Sequence, residues 1–271
     1  MFCSEFVRGD IVGKYDSICY KNYFLDQVII RCDFLEILEN ECLSDIEITK
    51  TILKGFPRKG KTQLVMFEEV NVDVSSEDIL QSKAKRNTYE GMQIEFMDHN
   101  NNKVILSNKM LICEVNNYKT YEDITNRFFP IIHELFAKKT ISVVRTGIRY
   151  INIFNNDVVK VRKNFFSNKI AESFEGKLPI TIDGIECIRC MHLLEYFVNG
   201  MQLNFRYGMY NPEYPKTLKK NDFVLDYDCY TNELISNPSD LSKYINIGHD
   251  SIQTLFEKSI TDSLREIYRH E

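Results

Sequence analysis

The pair Asn199-Gly200 constrains the fold of this chain more than any other feature. It lies between two runs rich in β-branched and aromatic residues, Ile185 to Val198 and Met201 to Tyr210. Both central positions of a type I′ turn need positive φ, which Asn and Gly tolerate, so the spacing predicts an antiparallel hairpin. Asn211-Pro212 and Pro215 end the return strand, because proline cannot donate to a ladder. A third strand follows over Phe223 to Tyr230, where Phe, Leu, Tyr and Cys alternate with Val, Asp, Asp and Tyr. That alternation marks one buried face. Asp183-Gly184 turns the chain into the meander.

A helix closes it. Ile252, Leu255, Phe256, Ile260, Leu264, Ile267 and Tyr268 fall at helical spacing. Asp250 followed by Gln253 has the capping-box pattern, with an earlier start near Ser239 as the alternative and Gly248 as a weak point.

The first half repeats the order. Gln63 to Val74, Met92 to Met97 and Lys103 to Val115 read as three strands, the last two joined by the turn Asp98-His99-Asn100-Asn101-Asn102. A helix is predicted over Tyr121 to Lys138, with Thr120 as N-cap and a kink at Pro130. Its apolar face is Ile124, Phe128, Ile131, Ile132, Leu135 and Phe136. Ser75 to Tyr89, rich in Ser, Glu, Lys and Arg, reads as a mobile loop. Each meander follows a strand (Leu25 to Leu35, Ser142 to Phe154) and a helix-like stretch (Glu36 to Leu53, Val158 to Ser173).

The expected fold class is therefore α+β, antiparallel strand meanders packed by amphipathic helices, in the order β-α-β-β-β-α twice. The two copies are offset by about 118 residues, with Ile30-Arg31-Cys32 matching Ile148-Arg149-Tyr150. An internal duplication accounts for this order; chance similarity of two meanders is the alternative. The halves are 1–140 and 141–271, either two units or one compact domain with pseudo-twofold symmetry.

Composition limits the function classes. The 271 residues suffice for a substantial core, and 44% apolar with 27% charged residues is ordinary for a globular chain. A net charge of −5 argues against a dedicated sequence-independent DNA binder but leaves room for a local basic groove. The first residues, Met1-Phe2-Cys3-Ser4-Glu5, lack the pattern of a signal peptide, and no apolar run is long enough to span a membrane. The eight Cys show no dense framework, so reduced thiols and a cytoplasmic location are expected.

Several motifs touch on chemistry. Gly55-Phe56-Pro57-Arg58-Lys59-Gly60-Lys61-Thr62 matches the P-loop letter for letter, which would make Gly55, Gly60, Lys61 and Thr62 nucleotide ligands. A P-loop needs a buried strand before it and a helix N-terminus after it. Here a helix-like stretch precedes and a strand follows, so a basic loop is the preferred reading. Cys187-Ile188-Arg189-Cys190 is a lone CxxC inside a predicted strand, where its thiols point to opposite faces. It reads as structural. The five His show no metal-binding spacing, and no metal or cofactor is expected.

The most informative segment is Arg145-Thr146-Gly147-Ile148-Arg149-Tyr150-Ile151-Asn152. On a strand, Arg145, Gly147 and Arg149 share one face, while Tyr150 and Asn152 share the other. Two guanidinium groups flanking a bare glycine can clasp a phosphate. Alternatively, both pair with carboxylates across the sheet. Arg206, in Asn204-Phe205-Arg206-Tyr207-Gly208, brings similar chemistry on another strand. His249 stands before the final helix as a cap or a proton-transfer group.

In this segment the chain resembles a sporadically distributed prokaryotic family of uncharacterised proteins of similar length. The hallmark of that family is an Arg-x-Gly-Leu-Arg-Tyr-Ile-Asn strand near mid-chain, here with Ile148 in place of Leu. A late helix carrying His249, Phe256 and Ile260-Thr261 is also similar. The resemblance implies no activity and no catalytic residues. Its patchy distribution implies an accessory or defence gene.

The expectation is a non-enzymatic binding protein that recognises a protein or phosphate-containing partner through Arg145, Arg149, Tyr150, Asn152, Arg206 and His249. The alternative is an enzyme acting on nucleic acid or nucleotides, with the same arginines on phosphate and His249 or Tyr150 moving a proton.

Overall fold

A computed structural model describes residues 20, 24–72, 84–154, 165–172, 189–211, 213–216 and 222–269. The first half runs β1 (Leu25–Phe34), α1 (Asn40–Leu43), α2 (Ile46–Gly55), β2 (Arg58–Val72), β3 (Ala84–Met97), β4 (Lys103–Ser107), β5 (Met110–Val115) and α3 (Tyr121–Lys138). The second runs β6 (Val143–Phe154), α4 (Asn168–Glu172), β7 (Cys190–Val198), β8 (Met201–Tyr210), β9 (Asp222–Thr231), α5 (Pro238–Ser259) and α6 (Asp262–Arg269). The expected turn at Asp183-Gly184, the chain start and Cys187 lie outside the described residues.

The nine described strands form one sheet, in the order β2-β3-β4-β5-β1-β6-β9-β8-β7. Every neighbouring pair is antiparallel. In each half the last strand lies beside the first, β5 on β1 and β9 on β6. The halves join through β1 and β6, where Ile30 pairs with Ile148. These two are the residues that the sequence offset matches to each other. Their outer neighbours in the sheet are Cys113 and Cys229.

Strands β1 and β5 and the later part of β6 alternate as a sheet buried on one face must. Val28, Ile30 and Cys32 on β1, Ile148 and Phe154 on β6, and Phe223, Leu225, Tyr227 and Cys229 on β9 point into the core. Helix α5 packs against β6, β8 and β9, and α3 packs against both α2 and α5. Gly248 lets α5 approach closely, since a Cβ there would lie 2.9 Å from Ile148 Cγ2. The expected weak point is thus a packing contact inside an unbroken helix.

The hairpin turn has the expected form, with φ of 50° at Asn199 and 83° at Gly200. Other expectations change. Lys103 to Val115 is two strands, not one. Ser107 Oγ accepts from the N–H groups of Lys109 and Met110, and the buried Asn108 donates to the Leu38 carbonyl, which fixes a tight turn. The first half therefore has one more meander strand than expected. Ala84 to Tyr89 belongs to β3 rather than to a loop, because it pairs with β2. Helix α5 is capped by Asn237, whose side chain accepts from Asp240 N at 2.8 Å, with Pro238 at the first helical position. Asp250 is mid-helix, so it caps nothing. Thr120 caps α3 as expected. That helix runs through Pro130, which is exposed, so water can satisfy the carbonyl left without a donor. No described helix is long and apolar enough to cross a membrane.

Candidate functional site

The strand segment from Arg145 to Asn152 lies at the centre of the sheet, as part of β6. Its alternation separates the predicted site residues. Tyr150 and Asn152 face the helices with Ile148, while Arg145, Gly147 and Arg149 face the opposite, open side. Arg206 reaches that open side from β8. All three arginines thus share one surface, without Tyr150, Asn152 or His249.

The arginines do not stand ready for an anion as a group. Arg149 grips Asp226 of β9 with two bonds, Nε to Oδ1 at 2.7 Å and Nη2 to Oδ2 at 2.8 Å. Arg206 donates to the same Oδ2 at 3.2 Å. Asp226 is buried, so the cluster resembles a desolvated bidentate pair with a second cation at its edge. The hydrogen bonds to Asp226 are the largest influence on Arg149 and raise its pKa. Pairing with a carboxylate across the sheet is what these two arginines do.

Arg145 is different. It stands opposite Asp33 in the ladder, but Asp33 is taken by Arg31 at 2.7 Å. Among the described residues Arg145 has no ion pair, and its guanidinium lies over the Tyr230 ring, 4.2 Å from the centroid. Gly147 is there for packing. A Cβ on it would come within 2.6 Å of the Cys229 carbonyl oxygen and of Tyr230 Cβ. Its backbone is covered by β9, which corrects the expectation of a bare glycine facing a ligand.

Between these groups runs a shallow groove of about 230 Å³. Ile29 and Ile112 line it together with Arg31, Glu114, Arg145, Arg149, Asp228 and Tyr230. Glu114 is bound to Lys103 at 3.0 Å. Asp228 sits deeper, and burial raises its carboxyl pKa, against the lowering effect of Arg149, Arg145 and Arg206.

The other predicted residues assemble under the helices. Tyr150 OH and His249 Nδ1 are 2.9 Å apart, and the His249 ring stacks on Tyr121 with centroids 3.7 Å apart. Tyr118 meets Tyr150 edge-on. Burial pushes the His249 pKa down to about 4 and the Tyr150 pKa well above its ordinary value. A neutral imidazole held between Tyr121 and Tyr150 joins α5 and α3 to the sheet. Asn152 donates to the Leu225 carbonyl at 3.4 Å. The sheet itself separates His249 and Tyr150 from the arginines, so the phosphate-and-proton arrangement expected for a nucleotide enzyme is not assembled.

The P-loop match is dispersed as well. Gly55 ends α2, while Gly60, Lys61 and Thr62 lie in β2, at an irregularity in its pairing with β3. No helix N-terminus follows them. Cys190 opens β7. Among the described residues no group of His, Cys, Asp and Glu is arranged to hold a metal ion.

Sequence reasoning missed Asp226, Asp228, Tyr230 and Asn204. The signal was present in β9, whose polar alternate positions are Asp226, Asp228 and Tyr230. It became meaningful only when β9 was placed beside β6. In comparison with known proteins, the sequence matches no family model and no curated protein.

Proposed function

We propose that this protein is a non-enzymatic binding protein that docks a partner on the open face of its sheet, around Arg145. One observation carries the reading. Helix α5 packs on one face, with α3 beside it and α2 beside α3, while the central strands carry on the other a grooved, charged surface in which Arg145 has no ion pair among the described residues. A cation stacked on an aromatic ring keeps its N–H donors available, and Arg and Tyr are favoured at protein interfaces. The group it meets is a carboxylate or a phosphate of the partner. The interleaved Arg31, Asp33, Arg149, Asp226 and Arg206 favour a protein surface of mixed charge, because the negative side chains would oppose a polyanion.

The pairing of Ile30 with Ile148 at the junction supports an origin by internal duplication, with the pseudo-twofold axis passing between them. The resemblance of the mid-chain strand suggests a prokaryotic accessory or defence system as the setting.

Affinity capture from the native host, with wild-type protein and Arg145→Glu as baits, tests the docking face. A partner retained by wild type and lost from the variant is the expected result. Equal recovery on both baits, or bait alone in both, counts against the reading.

A further inference from the structure

The sheet ends in two edges of different character, β2 and β7. Strand β2 is blunted: it opens with Arg58, Lys59 and Lys61, and its pairing with β3 shifts between Lys59 and Thr62. Charges and bulges of this kind keep an edge from adding another strand. Strand β7 has neither device. Its nine residues pair with β8 without a register shift, and Glu195 is its one carboxylate, with no Lys, Arg or Pro. Met191, Leu193, Leu194, Tyr196 and Phe197 are exposed, Phe197 to 79%. Leu194 and Tyr196 stand opposite the buried Phe205 and Leu203, on the face where α5 packs over β8 and β9, whereas Met191, Leu193 and Phe197 lie on the open face. Val198 and Met201 flank a two-residue turn and so exchange hydrogen bonds, as does every second pair along the hairpin. Met191, Leu193, Glu195 and Phe197 therefore direct their N–H and C=O groups outward, where no described strand meets them.

We propose that β7 pairs antiparallel with β7 of a second copy of this chain, about a twofold axis through Leu194, so that two sheets become one. The strand is self-complementary in that register. Leu194 meets its own copy, His192 meets Tyr196, Met191 meets Phe197 and Leu193 meets Glu195. All nine residues take part, and the outward groups of Met191, Leu193, Glu195 and Phe197 bond to one another. Centring the pair on Leu193 or Glu195 would shorten it, and on Glu195 would also set two carboxylates face to face. At about 200 Å² for a large side chain, the exposed fractions of the five offer on the order of 500 Å² of apolar surface per copy. Two copies bring about 1,000 Å² before the strand backbones are counted, the lower bound for a specific interface. The dimer is therefore one of modest, concentration-dependent affinity. A twofold contact of one patch with itself is the commonest way in which soluble chains assemble. Arg145 takes no part in it, so the capture experiment on the open face is read independently.

The test is sedimentation velocity of the full chain over a range of concentrations, with Leu194→Arg and Phe197→Lys as variants. Wild type is expected to reach twice the mass of one chain as concentration rises. Leu194→Arg sets two like charges together at the axis and weakens the dimer at least about tenfold. Phe197→Lys changes a side chain that is largely in water, so it reads the same interface if Leu194→Arg folds poorly, and it too weakens the dimer. Mild oxidation tests the register. Leu194→Cys forms a covalent dimer beyond the wild-type background, because the two Cβ atoms at the axis are about 5 Å apart. Phe197→Cys does not, because its two copies are about 20 Å apart along the strands. A wild type that stays monomeric at every concentration overturns the proposal and leaves the edge to another protein. Dimers of undiminished strength in both variants, or a covalent dimer through position 197 and not through 194, overturn it as well.

Discussion

At the scale of single residues, the two faces of β6 hold their polar groups by different physics. On the open face a buried carboxylate, Asp226, is neutralised by two guanidinium groups. On the helix face His249 is kept neutral, because burial lowers its pKa to about 4. The consequence for stability has a definite sign. Below its ordinary pKa of about 6.5 the imidazole of the unfolded chain takes up a proton that the folded protein refuses until about 4. Stability therefore falls as pH drops through that window, by about 2 kcal/mol after allowance for the partial exposure of the ring. Urea unfolding at pH 7.5 and pH 4.5 should show the loss, and His249→Gln should reduce it. An unchanged pH dependence in the variant would assign the titration to other groups.

At the scale of elements, α5 shows how a local preference yields to packing. Gly248 weakens the helix by about 1 kcal/mol relative to alanine in an exposed setting. Here the missing Cβ lets α5 settle on Ile148, Met201 and Cys229. Gly248→Ala should therefore destabilise the protein by about 1 kcal/mol, despite its better helix propensity, because Ile148 is β-branched and held in the sheet. A midpoint in chemical denaturation higher than wild type would contradict this contact. Several elements were legible locally: the Asn199-Gly200 hairpin, the α3 cap at Thr120 and the strand β9, although Val224 and Asp226 on its expected outer face are buried as well. The division of β4 from β5 was not. It depends on Asn108 reaching the Leu38 carbonyl, a contact with a segment far away in sequence. Helix α5 starts at Pro238, next to the alternative start near Ser239 and not at the Asp250 cap. Asp250 and Gln253 satisfy the capping pattern, but Asn237 and Pro238 had already begun the helix.

At the scale of the whole molecule, one sheet passes through both halves, and β1 and β6 are its central strands. Neither half can close its core without exposing the edge of the other, so cooperative unfolding follows. The cysteines report on this. Cys32, Cys113 and Cys229 are buried, and burial pushes each thiol up to about 12. They should resist iodoacetamide in the native protein. During urea titration Cys113 in the first half and Cys229 in the second should become reactive at the same denaturant concentration. Separate midpoints would mean that the halves unfold independently.

The sequence by itself determined what depends on near neighbours: the hairpin around Asn199-Gly200, the apolar stripe of α3, and that Arg145, Gly147 and Arg149 share a side. These follow from side-chain periodicity and from the φ values that Asn and Gly permit. Only the tertiary structure decided what those faces meet. Strand partners such as β1 with β6 and β6 with β9 are separated by long stretches of chain, and their register has no local signature. That register gives Arg149 and Arg206 a common carboxylate in Asp226, fills the space above Gly147 with Tyr230, and puts His249 behind the sheet. It also leaves Arg145 over the Tyr230 ring, with no ion pair among the described residues.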